Sequence, residues 1–332
     1  MEAIIQPAVM LLIVAAGYVL KRMGLFRPDD YRVLQTAEFN LVLPGTIIYS
    51  FATNEHAVNL LWISAFALLA ALTPTLLIYL ATVRRPVSDR AFLMLNGSGF
   101  NVGCFCFPML QSLVGPAALV PAAMFDIGNN IMVAAGTNVM TQTFLHIKPG
   151  KPLSEQSPGS APTLPHSKPK DRDVRRLQRR ALVGNIAKGF LGSPSFDVYL
   201  VMILCMVLDL HLPHWMALVT QPFSAANALC AMLMVGMLME LPDSKGDLLS
   251  VLEVLAWRLP CGIVFAASAW FLLPFDPMTR QAVALCCLAP TAVFSTMFTD
   301  KVLGNAKLAG FTLALTATIG IVTMTLAHLL MG

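Results

Sequence analysis

The chain has 332 residues, 57% of them hydrophobic and 12% charged, against about 25% charged in a typical soluble domain, and its mean hydropathy is +0.71. That composition excludes a water-soluble globule, and a net charge of only +4 gives no basic surface for nucleic acid. At about 20 apolar residues per bilayer crossing, the length accommodates about ten crossings, one long loop and several short ones.

The first apolar run, Ala3 to Leu20, ends at Lys21 and Arg22 and lacks the basic start of a signal peptide, so it reads as a membrane helix. Four more runs follow: Val33 to Phe51, Val58 to Val83, Ala91 to Leu113 and Ala117 to Leu145. From Lys148 to Lys188 the composition turns to Pro, Ser and charge, with too little apolar surface for a core, and this stretch reads as a disordered linker. The basic run beginning at Arg172 fits a cytoplasmic retention signal. Five further runs complete the chain: Phe196 to Leu210, Trp215 to Leu241, Leu248 to Leu273, Ala282 to Leu303 and Leu308 to Met331. Lys and Arg concentrate in alternate connections, after spans one, three, five, seven and nine. The positive-inside rule then makes those connections cytoplasmic and places both termini on the non-cytoplasmic side.

The expected fold is an all-α integral membrane protein of ten transmembrane helices, built as two five-helix repeats over residues 1–146 and 189–332 joined by the linker 147–188. Because each half has an odd number of spans, the second enters the membrane inverted, an architecture of secondary transporters. Val114-Gly115-Pro116-Ala117-Ala118-Leu119, after span four, aligns with Leu303-Gly304-Asn305-Ala306-Lys307-Leu308, after span nine, at Gly, Ala and Leu.

Span four carries Gly97, Gly99, Gly103 and Pro108 together with Asn96, Ser98, Asn101 and Gln111, and span nine carries Pro290 with Thr291 and Ser295 nearby. Irregular backbone is tolerated at membrane depth only when buried in protein or lining a wet cavity. Helices four and nine are therefore expected to be broken and to cross, with half-helix N-termini aimed at a common point suited to an anion. Small-residue helix packing explains Gly99 and Gly103 but not Asn101 and Pro108 as well.

In span five, Asp126 and Asn129 lie in Phe125-Asp126-Ile127-Gly128-Asn129-Asn130. An intramembrane carboxyl is expensive enough to mark a proton or cation site, and the alternative is a carboxylate that only fixes helix packing. Asn40 with Pro44 in span two and Asn227 with Pro222 in span seven form matching polar breaks that face the cavity or serve as caps and kinks. Arg258, ahead of Pro260 in span eight, is expected to snorkel to the boundary. Seven cysteines without a CxxC pair give no disulfide framework or metal site, His211 and His214 lack a third ligand, and the chain has no phosphate-binding GxxxxGK[ST] loop. No metal or cofactor is expected, and no catalytic residues emerge.

Phe100-Asn101-Val102-Gly103 through Pro108 to Leu119, the Phe125–Asn130 segment and Leu288 to Gly310 resemble the auxin efflux carrier family, which includes the plant PIN auxin exporters and malonate-type bacterial carriers. That resemblance implies a scaffold of spans one, two, six and seven that makes a homodimer contact, and a moving transport domain of spans three to five and eight to ten. It implies a substrate site at the crossover, with Asn101, Pro108 and Pro290 as binding positions and Asp126 and Asn129 as coupling positions; Gly103, Thr291, Ser295, Asn40 and Asn227 join the candidate binding set on their own polar or helix-breaking character. The family usually has glycine before the span-four proline, where this chain has Phe107. The implied function is secondary transport of a small organic anion across the cell (inner) membrane by elevator-type alternating access, in the outward direction. Two rivals are a sodium-coupled anion symporter of the bile-acid-carrier type and a membrane ligand sensor.

Overall fold

The computed structural model describes residues 2–156, 159, 161–165, 184, 194–242 and 244–332, all helix and connecting loop with no strand among them. The first half contributes α1 (Glu2–Arg22), α2 (Tyr31–Ala37), α3 (Leu43–Thr53), α4 (Leu61–Ala81), α5 (Val87–Gly97), α6 (Phe107–Leu113), α7 (Leu119–Ile131) and α8 (Thr137–Leu145). The second contributes α9 (Pro194–Val207), α10 (His214–Leu238), α11 (Lys245–Leu272), α12 (Pro277–Cys286), α13 (Val293–Leu303) and α14 (Ala306–Met331). The expected segments are thus helical, with non-helical breaks inside spans four and nine. Six helical segments among the described residues are long and apolar enough to cross a membrane, and a seventh results if the pair Val87–Gly97 and Val102–Leu113, bent by 48°, counts as one span.

The apolar surface is arranged as lipid demands rather than as water does. Leu12, Trp62, Leu69, Leu204, Val264 and Leu330 are exposed on the long helices, whereas Glu38, Asn96, Asn101, Asp126 and Arg258 are buried. In hydrocarbon, polar side chains turn inward to one another and to backbone carbonyls.

α1, α3 and α10 pack together, with α9 against α3. A second group joins α4, α5 and α7 to α11, α12, α13 and α14. Two glycine contacts set how close these helices lie. A Cβ on Gly236 of α10 would stand 2.1 Å from the Val14 carbonyl oxygen of α1. One on Gly128 of α7 would stand 1.8 Å from the Ser64 carbonyl oxygen of α4, beside the 2.6 Å hydrogen bond from Ser64 Oγ to the Met124 carbonyl. Gly128→Val is therefore expected to force α4 and α7 apart and to cost about 3 kcal/mol, read as a lowered denaturation midpoint in detergent.

Ion pairs tie several cation-rich ends together. Lys21, at the end of α1, meets Glu240 at 2.8 Å just past α10, and Arg85, after α4, meets Glu253 near the start of α11 at 2.5 Å. The connections after spans one, three and seven therefore share one end of the molecule.

The opening part of the expected disordered linker is folded. Residues 153–156 form a short 3-10 turn with Leu153 buried, Leu164 is buried, and its N–H donates to the Leu145 carbonyl at 3.1 Å. Arg90, 2% exposed, donates to the carbonyls of Pro162 at 2.7 Å and Tyr79 at 2.9 Å, so a residue counted as a topology cation is consumed inside the fold. Two buried leucines, the Pro162 carbonyl and the Val87 N–H donating to the Ala161 carbonyl pin this strap, which composition averaged over the whole stretch hides. The basic run from Arg172 lies outside the described residues.

Candidate functional site

Span four breaks between α5 and a π turn over Val102–Cys106 that leads into α6. Residues 98–101 are not helical, and Gly99 adopts φ +72°, a conformation that costs glycine nothing. The break falls in the glycine-rich part of the cluster, seven residues ahead of Pro108. Pro108 sits in the first turn of α6, where its missing N–H is tolerated, and is buried away from the cleft described below. In span nine the break runs from Cys287 to Ala292 and contains Pro290, as the sequence suggests.

The two breaks touch. The Asn101 N–H donates to the Pro290 carbonyl at 3.0 Å, and Thr291 Oγ1 donates to the Asn96 carbonyl at 3.1 Å. The C-terminal ends of the two leading half-helices, α5 and α12, converge on one side chain. Arg258, only 8% exposed, donates Nη1 to the Asn96 carbonyl at 3.3 Å and Nη2 to the Ala289 carbonyl at 2.9 Å, with its guanidinium 5.5 Å from the Phe100 ring centre. Arg258 does not snorkel: two electronegative helix ends inside the protein hold it more strongly than the boundary attracts it.

The starts of the two trailing half-helices lie on the other side of the break. They line a cleft of about 30 Å³ with Asn101, Val102, Gly103 and Cys104 from one span and Ala292, Val293 and Phe294 from the other. Phe39, Leu43, Asp126, Asn130, Val133 and Ser195 complete its wall. The volume is room for about two waters. Phe39 and Phe294 meet across it with ring centres 5.2 Å apart, and Ser195 Oγ donates to the Phe39 carbonyl at 2.8 Å. Each of the three π turns among the described residues, Glu38–Val42, Val102–Cys106 and Met132–Gly136, contributes to this wall. Such turns carry no sequence signature here and are frequent at functional sites.

Around the cleft the predicted residues divide by what they hold. Asn129 grips the backbone of Phe100 twice, accepting from its N–H at 2.9 Å and donating to its carbonyl at 2.7 Å. Asp126 accepts from Asn129 at 3.0 Å, Asn130 at 3.3 Å and the Tyr199 hydroxyl at 2.7 Å, which ties α7 to α9. Asn227 of α10 donates to the Gly103 carbonyl at 3.3 Å. The backbone N–H of Thr291 takes Thr316 Oγ1 as acceptor at 3.3 Å, and Ser295 is buried in the first turn of α13. Asn40 stands apart, exposed and donating to the Thr36 carbonyl at 2.7 Å, so it is a local helix contact outside the cluster. Asn101 is different again. It is 5% exposed, lines the cleft, and its side-chain Nδ2 has no hydrogen-bond partner among the described residues.

Arg258, Tyr199 and Glu38 are buried polar side chains beside these that were not among the expected site residues. Tyr199 has no local signal, because its partner is 73 positions away. Glu38 carries the same mark as Asp126, an acid inside an apolar run.

A family model described as membrane transport protein matches residues 2–328. The chain belongs to that family, the auxin efflux carriers. No curated protein sequence matches the chain. Membership makes this a multi-pass membrane transporter and argues against an enzyme. For such a carrier the broken pair, the cleft and the buried amide of Asn101 form the candidate substrate site.

Proposed function

We propose that this carrier moves a small organic anion, a carboxylate of the auxin or dicarboxylate kind, by alternating access, in the outward direction. The observation that carries the reading is the polarity of the four half-helix ends: electronegative ends face Arg258, and electropositive starts line the cleft with the unpartnered amide of Asn101. A carboxylate placed there meets helix N-termini and a free N–H donor without an opposing charge in hydrogen-bond range of that amide. The present cleft is smaller than such a substrate, so loading requires the broken spans to move against α2, α3 and α9.

The further architecture belongs to the same proposal: ten spans in two inverted repeats, a scaffold of spans one, two, six and seven that pairs into a homodimer, an elevator-type transport domain, and an inner-membrane location with both termini outside. It is supported by the packing of α1, α3 and α10 on one another with α9 against α3, to which α14 and α7 also make contact, and by positive φ at both Gly115 and Gly304 in the turns that the sequence alignment matches. Sodium-coupled symport is the weaker reading, because Arg258 already occupies the helix-end carbonyls where a coupling cation would be held.

The test is efflux from proteoliposomes loaded with radiolabelled malonate or indole-3-acetate. Protein-dependent efflux with no response to a sodium gradient is expected. Binding of either anion in a thermal-shift assay with no efflux under any gradient would instead favour a ligand sensor.

A further inference from the structure

Glu38 stands in the π turn that leads from α2 to α3, one residue before Phe39 of the cleft wall, and its side chain is fully buried. Neither carboxyl oxygen has a hydrogen-bond partner among the described residues. Its situation is the opposite of that of Asp126, whose two oxygens take three donors. A carboxylate so placed would be a bare charge at membrane depth, which proteins avoid by keeping such a group neutral or paired.

The surroundings decide between a proton and a metal cation. Two thiols feel its charge, Cys104 in the broken span and Cys230 on α10. The other titratable groups on the elements packed on this turn are Tyr31 and Arg32 on α2, Tyr49 on α3, Asp197, Tyr199 and Cys205 on α9, and His214 at the start of α10. Arg32 pairs with Asp29 at 3.3 Å and Tyr199 with Asp126, and neither reaches Glu38. A hard cation needs several oxygen ligands, and no group of three or more His, Cys, Asp or Glu side chains able to hold one forms among the described residues. A proton needs none.

Resting on the organic-anion reading above, we propose that Glu38 is the proton-coupling site of this carrier, protonated when the anion binds in the adjoining cleft and ionised when the broken spans have moved away and water reaches it. The step balances simply. The carboxylic acid gives its proton to a water on the side it faces, and the carboxylate left behind takes one from water on the other side before the next anion is bound. Glu38 directly precedes Phe39 of the cleft wall, and Cys104 of the same wall feels its charge, so the two sites adjoin. An anion in the cleft repels a Glu38 carboxylate and so favours its protonated form, and by reciprocity protonation favours anion binding. Anion and proton therefore travel together, outward when the outward anion gradient exceeds the opposing proton gradient, and apparent anion affinity falls as pH rises through the titration of Glu38.

Two readouts test this on the full chain in liposomes. Infrared spectra of wild type and Glu38→Gln across about pH 5 to 10 are expected to show a carboxylic-acid carbonyl band that fades with rising pH and is missing from the variant. Identical acid bands in both proteins at every pH would overturn the proposal. Exchange of labelled malonate and indole-3-acetate is expected to slow in wild type by about tenfold per pH unit above the midpoint of that band. In Glu38→Gln it is expected to be independent of pH, and in Glu38→Asp the dependence should return. Wild-type pH dependence retained in Glu38→Gln, or drive by a sodium gradient in place of a proton gradient, would also overturn it. If neither anion crosses in wild type, the organic-anion reading is what fails, and the infrared band still decides whether Glu38 binds a proton.

Discussion

Replacing Arg258 with methionine is expected to lower the stability of the carrier by about 3–5 kcal/mol and to abolish transport. The guanidinium joins the ends of α5 and α12 through hydrogen bonds to the Asn96 and Ala289 carbonyls, and hydrogen bonds from a charged donor contribute about 1.5–3 kcal/mol each. Methionine keeps much of the apolar stem but leaves the Ala289 carbonyl without its donor and two helix ends without their counter-charge. The loss therefore falls on the geometry of the break as well as on stability. Arg258→Lys is expected to be intermediate, since a single ammonium does not reproduce the forked reach to two carbonyls. Denaturation in detergent, followed by proteoliposome flux on the surviving protein, measures both effects. Unchanged stability in Arg258→Met would remove the clamp from the description of the site.

Asn101→Ala is expected to behave in the opposite way, with binding and flux reduced about 10- to 100-fold at nearly unchanged stability. Its Nδ2 has no partner to lose, and the backbone N–H that donates to Pro290 remains in alanine. A hydrogen bond to a charged acceptor is worth about 1.5–3 kcal/mol, and every 1.4 kcal/mol is about tenfold in affinity. Stability is expected to change by less than about 0.5 kcal/mol. Asn101→Asp should be worse than alanine for flux, because it places a like charge beside the substrate carboxylate. The paired measurement separates a substrate ligand from a packing residue: a large stability loss with normal flux would reverse the assignment.

How much of this was legible in the sequence differs from residue to residue. The helical segments were, because apolar runs of membrane length have few alternatives. The break in span four was legible as a cluster of glycines with Ser98 and Asn101, whereas Pro108 of the same cluster does not mark it. Proline is costly only where its N–H is needed, and the first turn of α6 does not need it. Arg258 was misread for a physical reason: snorkelling is a property of one helix in lipid, while the clamp exists only because two other helices end at the same point. Tyr199 was invisible, since its hydroxyl matters only when α9 lies against α7. Asn40 and Asn227 looked equivalent as polar residues near prolines, yet one faces outward and bonds its own helix while the other reaches Gly103. Chain-local patterns locate polar residues in spans, and only the packing of one half against the other tells which of them meet.

The most direct measurement compares protein-dependent uptake of indole-3-acetate with that of indole-3-acetamide, its neutral amide of nearly the same shape, into proteoliposomes at a pH where the acid is ionised, alongside labelled malonate. Electropositive helix starts around Asn101 are expected to pass a carboxylate and to leave the amide at the rate of protein-free vesicles. Equal protein-dependent uptake of acid and amide, with malonate excluded, would contradict a site built for negative charge.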